Sequence, residues 1–320
     1  MPGKLKIGVY LPMYGTMIRG VDTDPEPHFA YAREVTLLAE EMGLHSIWAP
    51  DHLLNPMRGE AARALEAWTV VAALAAVTKR IRLAHTTLCQ AFRYPAVLAK
   101  MVTTLDDICQ GRFIFSMGAG WYRREFQAYG LEWDDHQGLI ARGHEQILLL
   151  KRLWTESEVT FQGRYYHLEN CTVEPKPVQK PHPPIWWAGN SRESQKVAAE
   201  LADGWLMGDR TPEGARDSVQ GIKALLAERE IEYALSCHLI VEDSDRKAQE
   251  RLRGLLGGDE SRSGKIMGQG LIGAPETIAE KLRRYEEAGI DYLLLKPAPT
   301  LEGLEAFGEK VLPHLEGETR

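Results

Sequence analysis

An acid–base pair follows one of the short apolar runs of this chain. Asp51 and His52 come directly after the run Ser46–Ala49 and one proline. A carboxylate beside an imidazole is suited to proton transfer, because the ordinary pKa of histidine lies near 6.5. The alternative is that Asp51 caps the next turn and His52 is a surface residue. We expect Asp51 and His52 to be catalytic residues.

A loop of small residues follows another apolar run, Phe113–Met117. Gly118 and Gly120 have no side chain, so a flat ligand could approach the backbone closely, and Trp121 follows them. A tight turn that requires positive φ would also explain the two glycines. The loop predicts a binding surface for a planar, ring-bearing ligand.

Two threonines lie near the end of the run Ile81–Leu88. The hydroxyl groups of Thr86 and Thr87 could hydrogen-bond the polar edge of such a ring. Ordinary packing of β-branched residues in a strand is the alternative. We expect Thr86 and Thr87 to contact the ligand.

A loop with the properties of an anion site lies later in the chain. Gly189, Asn190 and Ser191 lead into a segment with helical periodicity. The free N–H groups and the dipole at a helix N-terminus favour anions, and barrels often bind phosphate in their later loops. A simple N-cap by Ser191 is the alternative. We expect these three residues to hold a phosphate group.

These residues need a scaffold that brings the ends of separate runs together. Strand and helix patterns alternate along the 320 residues and form eight strand-plus-helix units. The predicted strands are Lys6–Leu11, Ser46–Ala49, Ile81–Leu88, Phe113–Met117, Ile185–Ala188, Gly204–Met207, Leu235–Val241 and Asp291–Lys296. The predicted helices are His28–Met42, Leu65–Thr78, Pro95–Cys109, Ala141–Trp154, Glu193–Leu201, Pro212–Arg229, Asp245–Leu256 and Leu301–Leu312. The count favours an α/β fold of the (β/α)8 TIM-barrel type over a doubly wound sheet, and barrels bind ligands where their strands end.

Two insertions exceed ordinary loop lengths, one after the fourth unit and one after the seventh. Residues 156–183 contain a predicted hairpin, Phe161–His167, and a proline-rich run. Residues 257–273 are rich in glycine, serine and charge, and we predict a mobile lid loop there. We place both insertions provisionally near the face of the barrel that carries the site. The whole chain, residues 1–320, is predicted to be one domain.

Composition argues against several classes of protein. A formal net charge of −7 argues against binding to nucleic acid. Four scattered cysteines have no metal-like spacing, which indicates reduced thiols in a cytoplasmic protein and no metal site. The N-terminal sequence lacks the apolar core of a signal peptide, and no run approaches the roughly 20 apolar residues that span a bilayer.

A series of short motifs occurs in a characteristic order and spacing. The motifs are Glu66–Thr69, Ala72–Thr78, Arg93–Lys100, Thr104–Asp106 with Gly118–Glu125, Pro183–Trp186 with Gly189–Ser191, Ala202–Trp205, and Gly273–Glu276 before Ala288–Asp291. Together they resemble the bacterial luciferase-like family of flavin-dependent oxidoreductases over nearly the whole chain. The resemblance implies a TIM barrel with a flavin bound non-covalently at the carboxyl ends of the strands.

The resemblance also implies roles for particular residues. Ser116 and Glu125 are similar in position to family residues that line the flavin, and Ser191 matches the loop that holds its phosphate. Asp51 and His52 fall where the family has its polar active-site pair. Many members of the family are dimers, so we expect a homodimer or homotetramer.

Two branches of the family are compatible with the motifs. One uses reduced FMN, supplied by a separate flavin reductase, and O2 to oxygenate a small organic substrate. The other uses a deazaflavin coenzyme and transfers hydride. The Asp51–His52 pair and the stretch Gly118–Trp121 resemble the deazaflavin branch. The segments that resemble the FMN branch, which we favour, are Cys171–Pro177, Gly189–Ser191, and Gly273–Glu276 with Glu302–Gly308. A non-catalytic flavin-binding barrel and a non-flavin barrel using Lys296 are further alternatives.

Overall fold

The structure, a computed structural model, describes residues 5–316 and contains a closed barrel of eight parallel strands. The barrel strands, in order around the barrel, are β1 (Lys6–Tyr10), β2 (Ser46–Ala49), β3 (Arg82–His85), β5 (Phe113–Gly118), β8 (Ile185–Ala188), β9 (Gly204–Met207), β10 (Glu232–Val241) and β12 (Tyr292–Pro297). The short strand β4 (Leu88–Cys89) continues beside β5, β11 (Leu271–Gly273) pairs with β10, and β6 (Val159–Gln162) pairs with β7 (His167–Cys171). The predicted (β/α)8 TIM barrel is confirmed.

Helices surround the barrel and complete its units. They are α1 (Phe29–Glu41), α2 (Ala67–Val77), α3 (Pro95–Ile108), α4 (Arg123–Ala128), α5 (His136–Thr155), α6 (Arg192–Leu201), α7 (Pro212–Lys223), α8 (Asp245–Leu255), α9 (Glu260–Gln269), α10 (Pro275–Glu287), α11 (Thr300–Ala306) and α12 (Leu312–Glu316), with a π-helical turn at Phe307–Val311 between the last two. Among residues 5–316 we find no helix with the length and hydrophobicity needed to cross a bilayer.

The barrel has two main core layers because each barrel strand is buried on both faces, and a smaller cluster around Ile240 and Leu252 lies beside them. The larger layer lies between strands and helices. The inner layer fills the barrel with one cluster: Trp48, Ala84, Ile114, Trp186, Leu206, Ala234, Tyr292 and Leu294. Burial on both faces explains why the strands read as continuous apolar runs.

Several boundaries differ from the predicted ones. Helix α5 begins at His136 rather than Ala141, since the Asp135 carboxylate accepts a hydrogen bond from the N–H of Gly138 at 2.8 Å and caps the helix. The predicted third strand is interrupted at Thr86 and Thr87, which lie between β3 and β4. Helix α7 ends at Lys223, six residues before its predicted end at Arg229.

The second insertion is not a loop. Residues 257–273 contain helix α9 and strand β11, so the expectation of an irregular segment is corrected. The carboxylate of Asp259 caps α9 by accepting from the N–H of Arg262 at 3.0 Å, and β11 extends the sheet beside β10. Arg262 also donates to the carbonyl of Arg19, and Gln269 to that of Asp209. The segment therefore borders the carboxyl end of the barrel, and its mobility as a lid stays a prediction.

The first insertion forms the predicted hairpin but lies elsewhere than expected. The Glu145 carboxylate on α5 accepts from the N–H groups of Arg164, Tyr165 and Tyr166 at the hairpin tip. Near the end of the insertion, Gln179 donates to Asp106 on α3. The insertion thus lies along the outer faces of α3 and α5, and its provisional placement over the site is wrong.

Candidate functional site

Two adjoining cavities lie where the barrel strands end. The larger has a volume of about 310 Å³ and the smaller about 100 Å³. Both are lined by Thr86, Thr87, Gly120 and Trp121, which therefore form the boundary between them. The larger cavity continues over the ends of β8 and β9 to Ser191, and the smaller one reaches Asp51, His52 and Glu125. The structure thus brings together residues from the four loops that the sequence singled out.

His52 and Glu125 form the polar centre of the smaller cavity. The Nδ1 atom of His52 lies 2.8 Å from Glu125 Oε2, and only 2% of the Glu125 side chain is exposed. Glu125 Oε1 accepts from the N–H groups of Leu53 and Leu54 at 2.7 and 2.9 Å. Because a carboxylate only accepts, Nδ1 carries the proton in this pair and Nε2 is left as the second ring nitrogen for exchange with a ligand.

Glu125 makes contacts that the sequence did not predict. Glu125 was predicted to contact the cofactor, and this contact stays a prediction. Both of its oxygen atoms are engaged by the loop that carries His52. Glu125 lines the smaller cavity but orients the imidazole, a relationship that no local motif in the sequence signals.

Asp51 is held in a buried ion pair. Its carboxylate accepts from the guanidinium of Arg93 at 2.8 and 3.0 Å and from the N–H of Cys89 at 3.0 Å. Arg93 also pairs with Glu66 at 2.5 Å. Burial lowers the pKa of Arg93, but the two carboxylates raise it above its ordinary value. These contacts favour a positioning role for Asp51, since its oxygen atoms are already bonded.

Aromatic rings enclose His52. The rings of Tyr14, Trp121 and Tyr122 meet the imidazole edge to face, with centroid separations of 5.5, 5.4 and 6.1 Å. Burial raises the pKa of Tyr14 well above its ordinary value, helped by the nearby carboxylates of Asp51 and Glu125. Tyr14 is therefore neutral and donates its hydroxyl hydrogen to the carbonyl of Pro50 at 2.6 Å, which fixes the start of the loop.

The glycines after β5 leave bare backbone at the cavity boundary. A Cβ atom on Gly118 would lie 2.7 Å from the Thr87 hydroxyl, and Gly120 has φ of +89° with its would-be Cβ 2.8 Å from Cys89 Sγ. Both positions therefore exclude a side chain, and Gly120 additionally requires left-handed backbone. Trp121 is 65% exposed and lines both cavities. The bare backbone at these residues leaves room for a planar ligand, whose binding there stays a prediction.

Ser116 does not line either cavity. It lies on the inward face of β5, two residues after Ile114 and two before Gly118, and is fully buried. Its hydroxyl oxygen has no hydrogen-bond partner among the described residues. Ser116 therefore lies beneath the residues that line the larger cavity, and its contact with a cofactor stays a prediction.

The far end of the larger cavity has the features of a phosphate site. Ser191 is the N-cap of α6 and accepts from the N–H of Ser194 at 3.2 Å. Gly189 has φ of +147°, and Asn190 Oδ1 accepts from the N–H of Gly208 at 3.1 Å. The loop therefore presents the start of α6 to the cavity, where unpaired N–H groups favour an anion.

The sequence did not reveal His136 as part of this end. His136 reads as a surface histidine, yet it lines the larger cavity with Nε2 3.1 Å from the Ser191 hydroxyl. Its position at the start of α5 depends on the Asp135 cap, which the predicted helix start omitted. The signal available in the sequence was the Asp135 N-cap, which makes His136 the first residue of α5.

Metal binding finds no support in residues 5–316. In that part of the chain, no group of three or more histidine, cysteine, aspartate or glutamate side chains could hold a metal ion. All four cysteines are free thiols. Burial raises the pKa of Cys89, which lines the smaller cavity, to about 12, so this thiol is protonated at neutral pH.

Two known proteins with different cofactors are similar to this chain. An FMNH2-dependent dimethylsulfone monooxygenase of Pseudomonas putida is 26% identical over 100% of this chain and 98% of its own length. An F420-dependent glucose-6-phosphate dehydrogenase of Amycolatopsis mediterranei (strain U-32) is 35% identical over 54% of this chain and 51% of its own length.

A solved structure shows the same fold. An F420-dependent secondary alcohol dehydrogenase, in complex with an F420–acetone adduct, superposes with a TM-score of 0.80 at 22% identity, covering 98% of this chain and 100% of its own. In addition, residues 13–268 match the family described as luciferase-like monooxygenase. Because this match covers well over half of the residues, the chain belongs to the luciferase-like monooxygenase family, as its motifs predicted.

Proposed function

We propose that this chain is an enzyme that uses reduced FMN and O2 to oxygenate a small organic substrate. The choice of cofactor is carried by one observation, the end-to-end similarity to an FMNH2-dependent dimethylsulfone monooxygenase. Membership of the family and the paired cavities at the carboxyl end of the barrel support the oxidoreductase class.

The residues at the far end of the larger cavity fit the phosphate of FMN. Ser191 offers its hydroxyl, and the first N–H groups of α6 lack intrahelical partners. His136 lies beside Ser191 and would add a donor when its Nε2 carries the proton. These groups would bind and orient the phosphate, and Asn190 holds the loop in place through its contact with Gly208.

The boundary between the cavities fits a flat ring. Side chains are excluded at Gly118 and Gly120, so backbone and the Thr87 hydroxyl would face the ring. When bound, reduced FMN supplies the electrons and the reaction with O2. Trp121 would lie over the mouth of the cavity and exclude water, which limits side reactions of the bound reactants with solvent.

His52 would be the proton carrier. Glu125 holds Nδ1, so proton exchange with a ligand takes place at Nε2. Asp51 accepts hydrogen bonds from Arg93 and from the N–H of Cys89, and these contacts hold the start of the loop that carries His52. We therefore keep His52 as the catalytic residue and assign positioning roles to Asp51 and Glu125.

An anaerobic titration tests the cofactor. Reduced FMN, oxidised FMN and reduced F420, a deazaflavin, are each added to the protein, and binding is followed by calorimetry. We expect reduced FMN to bind at least about tenfold (1.4 kcal/mol) more tightly than either alternative. Tight binding of the deazaflavin alone would overturn the assignment, and tight binding of oxidised FMN without turnover would indicate a non-catalytic flavin protein.

Hydride transfer with a deazaflavin coenzyme is the second candidate. It is favoured by the 35% identity to an F420-dependent dehydrogenase, although that similarity covers only 54% of this chain. In this case His52 would exchange the substrate proton while hydride moves to or from the coenzyme. The same titration separates the two candidates.

We also propose a flavin reductase as partner, a homodimer or homotetramer, and a cytoplasmic location. Exposed apolar side chains on α2 and α3, at Val77, Val97 and Ile108, support self-association through these helices. The four free thiols support a reducing compartment. Light scattering after size-exclusion chromatography measures the mass of the assembly, and a monomer would contradict the proposal.

A further inference from the structure

A second polar cluster borders the larger cavity on the side of β9, β10 and β12, away from His52. Asp209 follows β9, Ser236 and His238 lie on β10, and Lys296 lies on β12. The Nζ atom of Lys296 donates to the two carboxylate oxygens of Asp209 at 2.8 and 2.7 Å. Ser236 donates to Asp209 at 2.5 Å, and His238 Nε2 lies 3.8 Å from the same carboxylate.

This cluster faces the cavity rather than the outer core. Ser236 and Tyr10 line the larger cavity, and Lys296 Nζ lies 5.9 Å from the centroid of the Tyr10 ring. Lys296 follows Leu294 by two residues, so it continues the inward face of β12. The side chain of Asp209 is 26% exposed. The pair therefore borders the cavity through its contacts with Ser236 and Tyr10.

The pair is poorly explained as a stabilising element. The layer below it is apolar, with Leu206, Ala234 and Leu294 on the same three strands. A buried ion pair is commonly no more stabilising than apolar residues of the same size, because both charges lose their hydration. An ion pair at the open end of an apolar barrel interior thus suggests ligand recognition.

The charges of the cluster balance. Burial raises the pKa of Asp209, but the charge of Lys296 brings it below its ordinary value, so Asp209 is ionised. Burial, with Lys296 nearby, lowers the pKa of His238 to about 3, so His238 is neutral. Across the mouth, Arg93 is matched by Asp51 and Glu66. Among the described residues that line the two cavities, there is no arginine or lysine.

We propose that the substrate is a small uncharged molecule, held beside the neutralised Lys296–Asp209 pair that borders the larger cavity. Asp209 sets this preference, because it neutralises the lysine that would otherwise attract an anion such as a sulfonate or carboxylate. The inference rests on the proposed function in taking the larger cavity as the reaction chamber.

Two probes of nearly equal shape test the charge preference. Dimethyl sulfone is neutral and methanesulfonate is an anion, and both present tetrahedral sulfur with oxygen acceptors. Their affinities are measured by calorimetry for the wild type and Asp209→Asn, with and without reduced FMN under anaerobic conditions. Asp243→Asn is the control, because Asp243 pairs with Lys247 and Lys310 on the exterior.

We expect Asp209→Asn to bind methanesulfonate at least about tenfold more tightly than the wild type does, with dimethyl sulfone changed less than about threefold. Asn retains an acceptor for Ser236 and Lys296, so the fold should persist. Absence of any gain for methanesulfonate overturns the proposal. The proposal is also overturned if the wild type binds methanesulfonate at least as tightly as dimethyl sulfone.

The flavin titration is independent of this result. A gain for methanesulfonate without bound FMN supports the recognition pair even if reduced FMN fails to bind. Binding of reduced FMN combined with no gain refutes the pair and leaves the proposed function intact. A Lys296→Met companion to Asp209→Asn should abolish the gain, which assigns it to the lysine.

Discussion

Replacing Glu125 by glutamine changes the tautomer of His52 while almost preserving shape. In the wild type the carboxylate accepts from His52 Nδ1 and from the N–H groups of Leu53 and Leu54. A glutamine can keep its oxygen toward Leu53 and Leu54, but its amide nitrogen then donates to Nδ1. The proton is displaced to Nε2, so the nitrogen that exchanges protons with the ligand is in the wrong state.

The structure sets two separate magnitudes for Glu125→Gln. Hydrogen bonds to a charged group contribute about 1.5–3 kcal/mol and neutral ones about 0.5–1.5 kcal/mol, so the free energy of unfolding should fall by about 1–3 kcal/mol. Turnover should fall by about 10²–10⁴-fold, the usual contribution of general acid–base catalysis. Flavin affinity should be unchanged, because neither oxygen of Glu125 is free to contact it.

The assay combines steady-state turnover, flavin binding and urea unfolding for Glu125→Gln and His52→Ala. Glu132→Gln is the matched control, since Glu132 pairs with Arg142 and its side chain is 74% exposed. We expect the first two variants to lose similar turnover and the control to lose none. If Glu125→Gln kept turnover within about threefold of the wild type while losing stability, Glu125 would have only a structural role and the tautomer argument would be wrong.

Three further predictions concern the buried ion pair, the phosphate end and a core histidine. Asp51→Asn should lower the free energy of unfolding by about 3 kcal/mol, because Arg93 loses a buried partner; a change below about 1 kcal/mol in urea unfolding would show that the pair is not needed. Ser191→Asp keeps a good N-cap but repels phosphate, so FMN should bind at least about tenfold more weakly while riboflavin binds as before; an equal loss for both ligands would place the phosphate elsewhere. His85 is buried against Trp68 without hydrogen-bond partners, and burial lowers its pKa to about 4, below the unfolded value near 6.5. The contribution of neutral His85 to stability is complete above pH 6.5 and is lost as pH falls toward 4. The wild type should therefore lose about 2 kcal/mol more of its free energy of unfolding between pH 7 and pH 5 than His85→Phe does, as measured by urea unfolding. Equal losses in the two proteins would contradict this.

Local patterns were sufficient for most of the fold. Alternation of apolar runs and helical stripes predicted all eight barrel strands, because two-sided burial leaves a continuous apolar run in each parallel strand. The prediction missed α10 despite its buried apolar face, and it also failed where caps or polar helices decide the structure. Helix α9 has only Ser263 buried, so no apolar stripe announced it, and α5 begins five residues early because Asp135 caps it.

The amino-acid sequence alone determined the family, the barrel and the four loops from which the site is built. It did so because each of these depends on short-range patterns or on the order of motifs. Only the tertiary structure decided which side chains meet. Glu125 reaches His52 across 73 residues, Arg93 reaches Asp51 across 42, and His136 reaches Ser191 across 55. Contacts of such separation follow from strand order and register around the closed barrel, and no local signal encodes them.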